Sequence, residues 1–251
     1  MQEALLMDKF NSTEELLAWI IDFFATHFGN SAILKGGMSL RLMHSPRYTN
    51  DVDYIFIPFD SKKNAKSFIE SELKKVPNLE FQTGINSKAL RILVNYGGQS
   101  AQIEISTEKE CDSIPMSSSL LSSPYGRPNR IIRIQEPATA FAHKIAAWNE
   151  RELLRDLYDI YQYKSAFHLS PKWQILKERL KKARSYKNVK AAKDFNTLIK
   201  KLSAAADTIS EKTLKELRPL LNPEEMAGLE FRLKAAMLTL CEEMENNFIY
   251  R

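Results

Sequence analysis

Two aspartates alternate with apolar residues at the point where a buried strand is expected to begin. Asp51 and Asp53 open the run DVDYIFI. Because successive side chains of a strand point to opposite faces, both carboxylates lie on one face, away from Val52 and Tyr54. Two neighbouring carboxylates repel each other, and a shared cation relieves that repulsion. Oxygen ligands of this kind suit Mg²⁺, which takes one or two protein carboxylates and completes its shell with waters and phosphates.

A third carboxylate and a glycine pair extend this pattern. Glu104, in QIEI, shares a face with Gln102 on a strand that otherwise reads as buried. The Gly36-Gly37 pair stands at a predicted strand-to-helix turn, where glycines allow close backbone approach and amide N–H groups face an anion. The joint implication is a site for phosphate and metal.

Each of these features has a plainer explanation when it is taken alone. A D-x-D at a strand edge is commonly solvated surface, and a glycine pair is commonly only a turn. The combination favours a two-metal phosphoryl-transfer site, with Asp51, Asp53 and Glu104 as the metal ligands.

The elements that must position these residues follow from the hydrophobic periodicity. Residues 1–135 give the order helix, strand, helix, strand, helix and then several strands, which predicts an α/β domain with a mixed sheet. From Pro137 onward the patterns are helical, so residues 136–251 are expected to form a helical bundle. Seven of the eight glycines precede residue 127, which agrees with this division.

Individual segments can be assigned in the same way. Asn11 or Ser12 is expected to cap the first helix, and SKKNAKSFIESELKKV is expected to be an amphipathic helix. Alternation predicts strands in KALRILVNY, SAQIEIST and NRIIRIQE. The serine-rich segment CDSIPMSSSLLSSPYGRPN is predicted to be a loop.

Composition limits the class of protein. The chain has 251 residues, 44% of them hydrophobic, which is enough for one large core or two modest ones. No apolar run approaches the roughly 20 residues of a membrane span, and the first residues are too acidic and amphipathic for a secretory leader. A cytoplasmic protein without membrane partners is expected, with Cys111 and Cys241 as free thiols.

Positive charge is concentrated in one segment. Residues 171–205 contain eleven Lys or Arg and two acidic residues, within a chain of net charge +5. A segment of this kind commonly faces phosphates, and it predicts binding of an RNA backbone. The alternative is a solvated helix face.

The motifs resemble those of a known family. LKGGMSLRL followed by SPRYTNDVDYIF resembles the first motif of the polymerase-β-like nucleotidyltransferases, in particular the AbiEii-type toxin branch, which has a GG or GS turn and an R-[FY]-[ST]-x-D-[LIV]-D segment. A later family motif, K…R…RD.YDI, is matched by HKIAAWNERELLRDLYDIY. The resemblance covers roughly residues 31–57 and 136–163, with Glu104 as a looser match.

This resemblance implies a polymerase-β-like nucleotidyltransferase domain followed by a helical bundle, NTP as substrate and Mg²⁺ (or Mn²⁺) as cofactor. It makes Lys144 the candidate to bind the triphosphate as a point charge. The predicted catalytic residues are Asp51, Asp53, Glu104, Lys144 and Asp156. The predicted nucleotide-binding residues are Gly36, Gly37, Ser39, Arg47, Lys144 and Arg155.

Helix geometry adds a condition on the second motif. In an unbroken helix, Asp156 would lie about 18 Å along the axis from Lys144 and about 120° around it. Since the resemblance places both at the site, a break is predicted at residues 148–150. Alternatively, Asp156 is structural and pairs with Arg151 or Arg155. Asp159 is expected to have a supporting role.

The predicted function is metal-dependent transfer of NMP from NTP to an acceptor, RNA (tRNA) or protein, by the toxin-like component of a toxin–antitoxin or phage-defence system. The resemblance also implies a cognate antitoxin that acts without stable contact. Two other classes stay open. One is a nucleotidyltransferase with a small-molecule acceptor, and the other is a degenerate module that only binds nucleic acid.

Overall fold

The structure is a computed structural model, and it describes residues 9–87, 89–186 and 188–248. The chain divides into two compact units between Gln135 and Glu136. Residues 1–8, on which the expectation about a leader falls, lie outside the described part. The two units are described in turn.

The first unit contains a seven-stranded sheet. Its strands are β1 (Ala32–Lys35), β2 (Asp51–Phe56), β3 (Glu80–Ile85), β4 (Leu90–Tyr96), β5 (Gln99–Thr107), β6 (Ser113–Ser117) and β7 (Ile131–Gln135). Their order across the sheet is β3-β4-β5-β2-β1-β7-β6. The pairs β2–β5 and β1–β7 are parallel, and the other neighbours are antiparallel. The predicted mixed sheet is therefore confirmed.

Helices pack against one face of this sheet. They are α1 (Thr13–Phe28), α2 (Gly36–Leu42), α3 (Lys62–Leu73) and the single turn α4 (Ser119–Ser122). Ser12 caps α1 by accepting a hydrogen bond from the amide of Glu15. The core lies between these helices and the sheet, and the ring of Phe24 on α1 stacks on Tyr54 of β2 with centroids 4.6 Å apart.

Two strands were not predicted from the sequence. β3 is an edge strand with little apolar alternation, and its side chains are mostly exposed. β6, the other edge strand, lies inside the serine-rich segment that was predicted to be a loop, together with α4. That prediction was wrong in part. Pro115 within β6 is tolerated because an edge strand leaves one side of its backbone unpaired.

The second unit is helical, as predicted. Its helices are α5 (Pro137–Arg151), α6 (Leu154–Tyr161), α7 (Trp173–Lys182), α8 (Phe195–Thr208), α9 (Glu211–Leu214), α10 (Pro223–Met226) and α11 (Leu229–Phe248). Pro137 occupies the first turn of α5, and the side chain of Glu136 accepts hydrogen bonds from the amides of Ala138 and Thr139.

Two further expectations can be compared with the structure. Within the described residues, no helix is long and apolar enough to cross a membrane. Cys111 and Cys241 are both free thiols. Burial, helped by the nearby carboxylate of Glu108, raises the pKa of the Cys111 thiol to about 11, so this thiol is protonated at neutral pH.

Candidate active site

The two aspartates of the first motif open β2. The side chains of Asp51 and Asp53 are half-buried. Val52, which lies between them, and Tyr54, which follows them, are buried in the core on the opposite face. The alternation that was read from the sequence therefore holds, and both carboxylates lie on the face of the sheet away from the core.

Strand pairing brings Glu104 to the same place. On the parallel neighbour β5, Glu104 is the register partner of Asp53, and Gln102 is the partner of Asp51. Register partners on neighbouring strands project from the same face of a sheet. The three predicted metal ligands thus share one face, with Asp53 and Glu104 side by side.

Gly36 lies directly against the carboxylate of Asp53. It has φ +69°, a conformation that L side chains rarely adopt, and a Cβ added there would lie 2.3 Å from Asp53 Oδ2. The turn between β1 and α2 therefore requires glycine for two reasons, backbone conformation and the space that Asp53 occupies.

Gly37 supports the other aspartate through the loop before β2. A Cβ at Gly37 would lie 2.9 Å from the Nη2 of Arg47 and 3.0 Å from Thr49 Oγ1. The hydroxyl of Thr49 donates a hydrogen bond to Asp51 Oδ1 at 2.5 Å. Arg47 is 7% exposed and also donates to the carbonyl of Tyr48. Gly37 thus packs on Arg47 and on Thr49, and Thr49 holds Asp51 in place.

Ser39, a predicted nucleotide-binding residue, is buried in α2. Its hydroxyl donates a hydrogen bond to the carbonyl of Gly36 at 2.9 Å. This contact fixes the glycine turn from within the helix. A direct role of Ser39 in nucleotide binding stays a prediction.

Glu104 has partners on its outer side. Arg91 of β4, its register partner there, donates from Nε and Nη2 to Oε1 at 3.2 and 2.8 Å, and Gln102 Nε2 donates to the same oxygen at 3.1 Å. On the inner side, Asp53 pairs in register with Lys35 of β1. Across β4, β5, β2 and β1, one row of register partners therefore carries two central carboxylates flanked by a cation on each side.

The donor set on this face fits Mg²⁺. Across residues 9–87, 89–186 and 188–248, no three His, Cys, Asp or Glu side chains are arranged together as a ready-made metal site. Mg²⁺, however, needs only one or two protein carboxylates, because waters and substrate phosphates complete its octahedron. The side-by-side Asp53 and Glu104, with Asp51 on the same face, meet that requirement.

In the second unit, the predicted helix break exists but lies further along the chain. The α5 helix continues through residues 148–150 to Arg151, and the amide of Glu152 still bonds to the carbonyl of Trp148. The chain turns at Glu152, which has the left-handed values φ 50° and ψ 38°, and at the extended Leu153. The predicted position was wrong because a single residue in the left-handed conformation, here without glycine, is enough to end the helix.

This turn brings Lys144 and Asp156 together. Lys144 Nζ lies 3.3 Å from Asp156 Oδ1 and 2.8 Å from Asp159 Oδ2, and both carboxylates are buried. Arg151 Nε lies 2.6 Å from Asp156 Oδ2. Burial of Asp156 opposes its ionisation, but Lys144 and Arg151 outweigh this effect and hold the pKa of the carboxyl below its usual range. Asp156 is thus an ionised, paired carboxylate.

Of the two arginines considered as partners of Asp156, only one pairs with it. Arg151 does so, whereas the side chain of Arg155 is exposed and joins no ion pair with the part of the chain that the structure describes. The structural role considered for Asp156 is consistent with these contacts. Roles of Lys144, Asp156 and Arg155 in nucleotide binding stay predictions.

The basic segment presents a cationic surface on the second unit. Lys172 and Lys201 are used in ion pairs with Glu136 and Glu152. The remaining described cations of the segment have exposed side chains: Lys177, Arg179, Lys181, Lys182, Arg184, Lys190, Lys193 and Lys200. Position 187 lies outside the described residues. A run of exposed cations with few acidic neighbours suits a polyanion.

Three residues near the carboxylates were missed by sequence reasoning. Thr49 holds Asp51, Arg91 holds Glu104, and Lys35 pairs with Asp53 in register. For Arg91 a weak signal existed, because it falls on the polar side of the alternating run LRILV. Which carboxylate it meets depends on the pairing of β4 with β5, which alternation does not specify.

Comparison with known proteins agrees with this fold. Residues 21–242 match the family described as "Nucleotidyl transferase AbiEii toxin, Type IV TA system". Among solved structures, the nucleotidyltransferase toxin MenT4 from Mycobacterium tuberculosis H37Rv is similar, with a TM-score of 0.59 and 17% identity over 93% of this chain and 90% of that one. JHP933 from Helicobacter pylori has a TM-score of 0.49 and 16% identity over 94% and 93%.

At 17% identity the similarity to MenT4 shows the fold alone. No curated protein matched the sequence. The family match, by contrast, spans most of the chain and includes both motifs. The chain therefore belongs to the AbiEii family of nucleotidyltransferase toxins of type IV toxin–antitoxin systems, and it is a nucleotidyltransferase.

Proposed function

We propose that the protein transfers NMP from an NTP to RNA, with Mg²⁺ or Mn²⁺ as cofactor. The observation that carries this proposal is the side-by-side pairing of Asp53 and Glu104 on β2 and β5, with Asp51 on the same face. A face of this kind, bordered by the Gly36 turn, offers oxygen ligands together with close backbone approach.

Each residue of the first unit has a proposed part. Asp51 and Asp53 would hold the first ion, and Glu104 with Asp53 would hold the second. When bound, the ions neutralise charge that develops on the α-phosphate and on the pyrophosphate leaving group. The chain contributes position: Gly36 fixes Asp53, and Thr49 fixes Asp51.

The bond changes in this proposal are simple. A hydroxyl oxygen of the acceptor bonds to the α-phosphorus of the NTP. The bond from that phosphorus to the oxygen that bridges the α- and β-phosphates breaks, and pyrophosphate leaves. The hydroxyl proton passes to solvent. Little covalent chemistry is left to the protein, so activity depends on positioning and on charge neutralisation.

RNA is the acceptor that the charge distribution favours. The exposed cations of α7 and of the segment after it carry no ion pairs with acidic side chains of the described residues, so they are available to phosphates. Resemblance to the toxin family favours a tRNA 3′ end among RNA acceptors. A protein hydroxyl, the other acceptor expected from the family, does not require this surface.

The family membership extends the proposal to partners and place. We propose a cognate antitoxin that counteracts the enzyme without a stable complex, as is expected of a type IV system. Because NTP and tRNA are cytoplasmic, the cytoplasm is the proposed location.

The test is transfer of label from each of the four α-³²P NTPs, with Mg²⁺, onto total RNA and onto protein. The parent protein is compared with Asp51→Asn/Asp53→Asn, in which the amides keep the size of the carboxylates beside Gly36 and Thr49. The matched control is Asp60→Ala, which removes an exposed carboxylate of the same unit whose Oδ1 lies 3.9 Å from Lys109 Nζ.

The expected result is label on RNA from one NTP, lost in the double variant and retained in the control. Label on protein instead of RNA would show that the acceptor is a protein. Absence of label on both, with NTP binding intact, would point to a small-molecule acceptor. Salt-sensitive RNA binding that is independent of Mg²⁺ and unchanged in the double variant, without any transfer, would indicate a module that only binds nucleic acid.

A further inference from the structure

The carboxylate of Glu104 is held by one oxygen only. Hydrogen bonds from Arg91 Nε, Arg91 Nη2 and Gln102 Nε2 converge on Oε1 at distances of 2.8 to 3.2 Å. Over residues 9–87, 89–186 and 188–248, Oε2 accepts no hydrogen bond. The two oxygens of this carboxylate are therefore in different situations.

Strand order explains which side is held. Arg91 lies on β4 and Asp53 on β2, and these two strands flank β5 on opposite sides. Arg91 therefore holds Glu104 from the side away from Asp53. Oε2 accepts none of these bonds, and the strand on the other side of β5 carries the carboxylate of Asp53.

We propose that Arg91 is a positioning residue of the metal site, which together with Gln102 holds Glu104 by Oε1 and presents Oε2 to a divalent cation shared with Asp53. This inference rests on the proposed function, because it concerns the metal ion of that reaction. It assigns a role to a residue outside both family motifs.

The physical reason is the energy of two neighbouring carboxylates before the cation arrives. Asp53 and Glu104 repel each other, and an unrestrained Glu104 would turn away toward solvent. Charge-assisted hydrogen bonds from a guanidinium stabilise the ionised form and fix its orientation. Removing a partner that hydrogen-bonds to a metal ligand in this way typically changes metal affinity by about 10- to 100-fold.

Arginine suits this role better than lysine. Its planar guanidinium places two N–H groups on one oxygen, whereas an ammonium on a flexible stem acts as a point charge. The side chain of Arg91 is also 52% exposed, and exposed ion pairs contribute only about 0–1 kcal/mol to folding. Substitutions of Arg91 therefore test the site without unfolding the unit.

The experiment measures Mn²⁺ affinity without nucleotide, by electron paramagnetic resonance of the free ion. The proteins are the parent, Arg91→Ala, Arg91→Lys, Asp51→Asn/Asp53→Asn and the control Arg130→Ala. Arg130 is matched because its side chain is 41% exposed and its Nε lies 2.7 Å from Asp22 Oδ1 in the same unit, so the control breaks a similar ion pair elsewhere.

Arg91→Ala is expected to weaken Mn²⁺ binding by about tenfold or more, which is the order seen when a partner of a metal ligand is removed. Arg91→Lys should weaken it less, and Arg130→Ala should leave it unchanged. In the transfer assay, Arg91→Ala should raise the Mg²⁺ concentration for half-maximal rate more than it lowers the rate at saturating Mg²⁺. A merely structural arginine would not separate these two quantities.

Two results would overturn the inference, and they differ in scope. In the first, the parent binds Mn²⁺, Asp51→Asn/Asp53→Asn abolishes this binding, and Arg91→Ala binds as tightly as the parent or more tightly. This result would reject the role of Arg91 and leave the proposed function standing. Parent binding that is absent, or equal in the double variant, would reject the metal site and the role of Arg91 together.

Discussion

Substitution of Gly36 by alanine tests whether the glycine turn fixes the position of Asp53. A Cβ at this residue would lie 2.3 Å from Asp53 Oδ2, whereas ordinary contacts begin at 3.4 Å. The carboxylate must therefore move by about 1 Å, and a misplacement of this size at a reacting centre typically costs about 100-fold in rate. The expected decrease of transfer activity in Gly36→Ala is accordingly about 100-fold.

The backbone contributes a second, separable cost. Alanine in the left-handed region is disfavoured by about 1–2 kcal/mol, so the free energy of unfolding should fall by that amount. Gly126→Ala is the matched control, because Gly126 has φ +63° and a Cβ there would meet nothing within 4 Å. Both variants carry the backbone cost, and only Gly36→Ala displaces Asp53.

The assay combines urea denaturation with the rate of label transfer from α-³²P NTP. Similar decreases of stability in the two variants, with a large decrease of rate only in Gly36→Ala, would support the reasoning. If the rate of Gly36→Ala lies within about threefold of the Gly126→Ala rate, the contact with Asp53 does not set the catalytic geometry, and the magnitude drawn from a shift of about 1 Å is refuted.

Two further predictions concern the second unit. Asp156→Asn should lower the free energy of unfolding by about 3 kcal/mol at neutral pH, because it removes the buried carboxylate that pairs with Arg151 and leaves Asp159 as the paired carboxylate of Lys144. The pKa of Asp156 is lowered in the folded state, so its stabilisation is present above the ordinary carboxyl pKa of about 3.9 and disappears as pH falls through the folded value. Denaturation at several pH values should therefore show that the difference in free energy of unfolding between parent and variant shrinks in acid. A difference that stays constant with pH would contradict this. Lys181→Glu/Lys182→Glu should weaken RNA binding, measured by filter-binding titrations at several salt concentrations. The slope of log K against log salt should decrease in magnitude by about 0.7 for each phosphate that the protein no longer neutralises. An unchanged slope would mean that the RNA binds elsewhere.

Local features of the chain were predictable because their causes are local. The alternation around Asp51 and Asp53 fixes which face the side chains take, and Ser12 caps the first helix through an amide three residues away. The helical character after Pro137 follows from periodicity alone.

The helix break in the second motif shows where local reasoning reaches its limit. The requirement that Lys144 and Asp156 approach each other predicted that a break exists. Its position at Glu152 and Leu153 depends on a non-glycine residue in the left-handed conformation, which carries no sequence signature. The edge strand β6 was missed for a related reason, because proline and serine weaken the strand pattern while pairing with β7 still forms it.

By itself, then, the sequence determined the residue types at the site, the face on which the two aspartates lie and the family to which their motif is similar. The tertiary structure decided which residues from distant parts of the chain meet them. Asp53 meets Glu104, and Glu104 meets Arg91, only because β2, β5 and β4 pair in one register. A shift of that register by one residue would turn every side chain of a strand to the other face, and strand register is set by packing of the whole sheet on its core.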